Sequence, residues 1–349
     1  MSTDGGSASA QRGRGVRRVP DVGVRLLGTG HHVPKGVVHN TDLERFMDTS
    51  DEWISQRTGI RTRHACNPEK GENTTWLCTE ALKSALADAG VSGESLDLVI
   101  VATVTGEMTC PSTACRVASN VGATHAGAFD VVAACSGFVY SLNVAHDMIR
   151  AGSARRVGVI GCDVMTRLMD YGNRAISVLF GDSAGAAILE ACDDPSKGLL
   201  ANRLYADGSR WHDLYIPRTV HDVPEGADFT ELRLNSLQMN GREVYKFAVG
   251  TFADLIAETL EAAGLEAEDV DQFVCHQSNA RMLESARKRF GLPEEKMYIN
   301  IDRYGNCSAG SVPVALNELR RVGKCLENQR VMFVAFGGGL TWSSSLWQF

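Results

Sequence analysis

No apolar run in this sequence approaches the roughly 20 residues needed to cross a bilayer, so a membrane-spanning helix is not expected. There is no CxxC pair, and with it goes the usual signal of a zinc ribbon or a redox dithiol. Positive charge is not in excess: 35 Lys and Arg stand against 42 Asp and Glu, a net charge of −7 that argues against a nucleic-acid binder. Ten cysteines in 349 residues are too sparse for a disulfide scaffold, which is short and cysteine-dense; free thiols in a reducing cytoplasm are the expectation. The opening residues, "MSTDGGSASAQRGRGVRRVP", lack the apolar core of a signal peptide. Rich in Gly, Ser and Arg, residues 1–21 read as a disordered tail.

What the sequence does have is an internal repeat. "LADAGVSGESLDLVIV" (86–101) matches "LEAAGLEAEDVDQFVC" (260–275) with Gly90 on Gly264 and Asp97 on Asp271, an offset of 174. The same offset sets "YSLN" (140–143) on "VALN" (314–317) and Arg156-Val157 on Arg330-Val331. Each copy carries an amphipathic helix (Leu82, Leu86, Ala89; Ile256, Leu260, Ala263) that ends at a glycine. A short apolar strand, a small-residue loop, a second helix and another apolar strand follow. Short continuous apolar strands alternating with helices imply an α/β chain with parallel-rich sheets buried on both faces. Two related halves are expected, 22–195 and 196–349, with the polar segment at about 192–240 as their connection.

One cysteine differs from the others in its setting. In "FDVVAACSGFVYSLN" (129–143), "FDVVAA" reads as a buried strand. "SGFVYSLNVAHDMIRAG" reads as a helix with Phe138, Leu142, Ala145 and Ile149 on one face. Cys135 falls at the join, where a helix dipole favours thiolate and free backbone N–H groups can bind an oxyanion. A packed small hydrophobe and a nucleophile are both open readings of this pattern. The second half supplies His276, after the strand "VDQFVC", and Asn306, in the turn "YGNCSAGSVP". The duplication counterpart of Cys135 is Ala309, so Asn306 comes near the same axis. "FGGG" (336–339) offers further N–H donors and close backbone approach. Papain-type proteases use the same three residue types in the same order, but their "CGSCW" motif is missing and a duplicated α/β pattern does not suit them.

With these residues in hand, the sequence resembles the β-ketoacyl-acyl-carrier-protein synthase III family of the thiolase superfamily. The resemblance runs from about residue 22 to 349 through "DTSDEWISQRTGIRTRH", "FDVVAACSGF", "LFGDSAGAAIL", "MNGREVYKFAV", "HQSNARM", "RYGNCSAGSVP" and "AFGGGLTW". It implies a duplicated αβαβα five-layer sandwich, a homodimer, and no metal or redox cofactor. It also implies a reaction: an acyl-CoA and malonyl-acyl-carrier protein condense with loss of CO2 to initiate type II fatty-acid synthesis. By this match Cys135 would carry the acyl group, with His276 and Asn306 completing the catalytic set. Backbone N–H groups of Cys135 and Gly338 would form the oxyanion hole. Trp53 and Arg174 would sandwich the CoA adenine, Thr49, Arg57 and Gly241 would line the tunnel, and Asn279 would meet the pantetheine. Arg281, Lys288 and Arg289 would dock the acidic carrier protein. Phe336 and Cys110 would border the acyl pocket, Cys110 reaching in from the partner subunit. Many acetyl-using members carry phenylalanine where Cys110 stands, so a longer or branched primer is expected. The alternative implied is a starter-unit ketosynthase or acyltransferase of secondary metabolism in the same superfamily. A non-catalytic acyl-CoA-binding scaffold is the reading from a different class.

Overall fold

The structure, a computed structural model, describes residues 21–226 and 233–349. The tail expected over residues 1–21 lies, apart from Asp21, outside them. Two sheets carry the fold. The first runs in the order Gly23–His32, Asp182–Cys192, Arg156–Val164, Leu98–Ala102, Gly127–Val131. The second runs Gln272–Cys275, Arg330–Gly337, Thr341–Gln348, Gly198–Ala206.

Strand alternation sorts side chains into layers. In the first sheet, Leu98 and Ile100 point inward while Val99 and Val101 point outward; in the second, Val331, Phe333 and Ala335 point inward while Met332, Val334 and Phe336 point outward. The inward sets close on two helices, Gly137–Arg150 and Ser311–Arg321, through Phe138, Leu142, Val312 and Leu316. The outward sets are covered by Thr74–Ala89 and Thr113–Asn120 on one side. Gly241–Ala263 and Ala280–Arg289 cover the other. This is the expected five-layer sandwich. Each fully buried Leu, Ile or Phe in it contributes roughly 1.5–3 kcal/mol, so the three apolar layers hold the stack together.

The repeat is visible in geometry as well as in sequence. Gly90 and Gly264 end their helices at φ 66° and 65°, a left-handed conformation that costs glycine little. The Asp97 and Asp271 amides each donate at 2.9 Å, to Arg156 O and Arg330 O. Leu98 lies opposite Val157 and Gln272 opposite Val331, so register is kept at the same offset. Gly161 marks a close approach of the halves: a Cβ there would sit 2.2 Å from Ala309 O.

Two expectations need correction. The sheets are mixed, not parallel-rich: Leu98–Ala102 pairs parallel with both its neighbours, but Asp182–Cys192 is antiparallel to both of its own. Apolar continuity reports burial on two faces and carries no strand direction. The polar connection also contains a strand, Gly198–Ala206, which forms the edge of the second sheet. Its half-exposed pattern hid it. All ten cysteines are free. Among the described residues, no helix is long and apolar enough to cross a membrane.

Candidate active site

Strand Gly127–Val131 leads into a tight turn, Ala134–Ser136, and then into the helix Gly137–Arg150. Cys135 sits in that turn, buried. Ala134 has φ 46°, and Ser308, at the equivalent place in the other half, has φ 49°. A non-glycine residue in this region stores strain on the order of 1–3 kcal/mol and needs its surroundings to hold it. Here the Ser136 hydroxyl donates to Ala133 O at 2.7 Å, and Thr341 Oγ1 lies 2.7 Å from Ser136 Oγ. From the far side the Arg330–Gly337 strand presses in: a Cβ on Gly337 would lie 2.5 Å from Cys135 N and 3.2 Å from Ala134 Cβ. Gly337→Ala should therefore push the nucleophile turn out of place. A loss of about 1–3 kcal/mol of stability in chemical denaturation, together with slower acylation of Cys135, is the expected outcome.

Burial decides the charge of the thiol. It pushes the Cys135 pKa up to about 12, against a hydrogen bond from Ser308 that pulls it down. The thiolate expected from the helix dipole is thus not the resting form. A helix start is worth only about 0.3–1 kcal/mol, less than the cost of burying an unpaired anion.

His276 directly follows the strand Gln272–Cys275, and burial lowers its pKa to about 3, so the ring is neutral at pH 7. Its Nδ1 lies 2.7 Å from Ser311 Oγ, and Phe336 packs edge-on at 5.4 Å between ring centroids. Asn306 is also buried, pinned by its own amide to Leu179 O at 2.8 Å and by its carbonyl to the Gly181 amide at 3.1 Å. Its Oδ1 accepts from the Ser308 amide at 2.9 Å, which assigns the side-chain NH2 as the free donor end. Glu318 braces the segment before it by accepting from Asn300 (2.7 Å), Arg303 (2.7 Å) and Tyr304 (2.8 Å).

Two cavities meet at Cys135. One, of about 210 Å3, is lined by Cys135, His276 and Asn306 together with Gly241, Asn279 and Phe336. The other, of about 280 Å3, is mostly apolar and includes Met165, Ile216, Leu237, Ser308 and Gly338. Phe180 and Leu214 wall both. The structure thus gathers the three catalytic candidates, with Gly338 beside Cys135. Phe336 lines the first cavity and not the second; Cys110 is exposed and lines neither.

Trp53, Arg57 and Arg174 form a separate cluster. The Arg57 and Arg174 guanidinium carbons stand 4.5 and 5.3 Å from the Trp53 ring centroid. Asn279 ties it to the cavity: its Nδ2 donates to Arg57 O at 3.1 Å. Thr49 Oγ1 is buried without a partner among the described residues. Arg281, Lys288 and Arg289 are exposed along the Ala280–Arg289 helix, which Asn279 caps. Sequence reasoning missed Ser308, Ser311, Phe180 and Gly337. "YGNCSAGSVP" marked a turn there, but not which hydroxyl meets which partner.

A thiol held where two duplicated halves converge places this protein among the thiolase-fold acyltransferases. Comparison with known proteins narrows that class. The profile of 3-oxoacyl-[acyl-carrier-protein] synthase III matches residues 129–208, and that of its C-terminal part matches residues 260–349. The β-ketoacyl-[acyl-carrier-protein] synthase III of Caldanaerobacter subterraneus is 44% identical over 321 residues, 92% of this chain and 96% of that protein. The crystal structure of 3-oxoacyl-[acyl-carrier-protein] synthase III from Aquifex aeolicus superposes with a TM-score of 0.86 at 39% identity, covering 94% of this chain and 100% of that one. The priming β-ketosynthase of a polyketide biosynthetic pathway gives a TM-score of 0.86 at 33% identity, over 96% and 98% of the two chains. This chain belongs to the β-ketoacyl-[acyl-carrier-protein] synthase III family. It is an acyl-transferring condensing enzyme that initiates fatty-acid synthesis.

Proposed function

We propose that the enzyme transfers an acyl group from CoA to Cys135 and condenses it with malonyl-acyl-carrier protein, releasing CO2 and a 3-oxoacyl-carrier protein. The observation that carries this reading is the meeting of two cavities, both mostly apolar, at one thiol. The one that holds His276 and Asn306 brings the ring and the amide to bear on an incoming thioester. The other offers room for the acyl chain. The backbone N–H groups of Cys135 and Gly338 hold the tetrahedral oxyanion. Asn306 and His276 donate to the malonyl thioester oxygen, where charge gathers as CO2 leaves. Decarboxylation generates the carbanion, so no strong base and no metal or redox cofactor takes part.

Trp53 and Arg174 bind the CoA adenine between them. Two contact distances, about 7 Å, are needed to admit a flat ring. Arg174, held at 2.9 Å by the exposed Asp48, swings out to make that room. Arg281, Lys288 and Arg289 receive the carrier protein on the helix whose cap lines the tunnel. The protein works as a homodimer in the cytoplasm. Gly127–Val131 is an edge strand, with Met108 (54% exposed) and Val132 (78% exposed) as apolar surface beside it. Cys110 of the partner subunit then caps the second cavity, leaving space for primers longer than acetyl.

The test is turnover with malonyl-carrier protein and a panel of straight and branched acyl-CoAs. Condensation with four-carbon and longer primers at rates comparable to or above acetyl-CoA is expected; turnover of acetyl-CoA alone would sink the pocket argument. Transfer of the acyl group to a hydroxyl or amine acceptor without CO2 release would favour the secondary-metabolism reading.

A further inference from the structure

We propose that Glu318 sets the position of Asn306 and so controls the condensation half-reaction without touching a substrate. This rests on the role proposed above for Asn306. Glu318 lies on the Ser311–Arg321 helix, largely buried, and lines neither cavity. Its carboxylate gathers the side chains of one short segment. Oε1 accepts from Arg303 Nη1 at 2.7 Å and from Tyr304 OH at 2.8 Å. Oε2 accepts from Asn300 Nδ2 at 2.7 Å, Arg303 Nη2 at 3.0 Å and Tyr298 OH at 3.3 Å. Burial opposes the charge, but the hydrogen bonds from Arg303, Asn300 and Tyr304 outweigh it and hold the carboxyl below its ordinary pKa. From Tyr304 the chain runs through Gly305 to Asn306, and the turn Ser308–Gly310 then leads directly into the helix that carries Glu318. One carboxylate thus clasps the chain on both sides of Asn306.

The same segment is tied to His276 from its other side. Gln277, the next residue, donates Nε2 to Tyr298 O at 3.1 Å and accepts the Asn300 amide on Oε1 at 3.0 Å. The spacing between the His276 ring and the Asn306 amide is therefore set through residues 298–304. Both donors must meet a single thioester oxygen, and a misplacement of about 1 Å can cost 10^2-fold in rate. Only a carboxylate makes this clasp. Arg303 bonds both oxygens, so whichever way a glutamine turned, its NH2 would face a guanidinium N–H. Arg61 N and Thr62 Oγ1 still hold the carbonyls of Asp302 and Arg303, so losing the clasp shifts the segment rather than unfolding it. Acylation makes no such demand: its oxyanion sits on the backbone N–H groups of Cys135 and Gly338, to neither of which Glu318 bonds. Glu318 is a positioning residue.

Glu318→Gln should leave single-turnover acylation of Cys135 within about two-fold of wild type. It should lower kcat for condensation about 10- to 100-fold, with KM for malonyl-carrier protein little changed. In an Asn306→Ala background the same substitution should cost under about two-fold more, since the group it acts through is already gone. A residue that merely held the fold would slow both half-reactions alike and add its loss to that of Asn306→Ala. Either result overturns the proposal, and so does wild-type condensation in Glu318→Gln. Should Glu318→Gln fail to fold, Tyr304→Phe carries the test, because it removes one donor and keeps the ring stacked on His64, with centroids 5.7 Å apart. A condensation loss of about 2- to 5-fold at unchanged acylation is expected there, and unchanged condensation overturns the proposal as well. Condensation unimpaired in Asn306→Ala would instead remove the role of Asn306, and with it the means by which Glu318 acts.

Discussion

Cys135→Ala is expected to show no mass addition after incubation with acyl-CoA and to lose condensation by a factor on the order of 10^4 or more, the scale seen when a covalent nucleophile is removed. The loss will not come from unfolding. The side chain is small, and the strained turn around it is held by Ser136, Thr341 and Gly337, none of which contacts it through the sulfur alone. None of the other nine cysteines lines either cavity. Cys162 and Cys275 are fully buried and their thiols are pushed well above the usual range, chiefly by burial. Intact-protein mass spectrometry paired with a product assay checks both halves of the prediction. An acyl adduct persisting in the variant would move the nucleophile elsewhere.

Asn306→Ala should behave differently: the acyl-enzyme forms, but condensation falls about 10^2–10^3-fold, the cost of removing one donor from a developing oxyanion. The alanine also strips the buried Ser308 amide of its acceptor, a penalty of about 1–3 kcal/mol that falls on the fold. Asn306→Asp separates the two effects. It keeps Oδ1 for the Ser308 amide and replaces the donor with a like-charged neighbour for the enolate. The buried carboxylate carries a stability cost of its own, so the readout is the split between half-reactions: acylation retained, with the same loss of condensation. If acylation and condensation fell together in Asn306→Asp, the residue would serve the first half-reaction and the assignment of roles would be wrong.

Much of this was legible in the sequence. The 174-residue offset foretold paired helices, strands and turns, and the geometry keeps it down to matching φ angles at Ala134 and Ser308. "FDVVAACSGF" announced a strand, a turn and a helix because small residues interrupt an apolar run there. The family motifs named Cys135, His276 and Asn306, which the fold brings to one cavity. What could not be read was set by tertiary partners. Ser311 lies 35 residues from His276, and nothing local tells a serine which ring it will meet. The thiol's protonation was misjudged for a related reason. A helix start is visible in sequence, while the depth of burial that outweighs it is not. Strand direction and the half-exposed edge strand Gly198–Ala206 escaped because apolar patterning records faces, not neighbours.

The two matching turns have one more consequence. A cysteine at 309 as well as at 135 would set two thiols close together across the axis that relates the halves, where an outside oxidant could join them and remove the nucleophile. Alanine at 309 leaves Cys135 as the thiol of that matched pair. The turn around Ala309 holds, within four residues, the amide of Asn306 and the hydroxyl of Ser308. A structure built by copying has divided its labour: one copy holds the acyl group, and the other manages the charge that moving it creates.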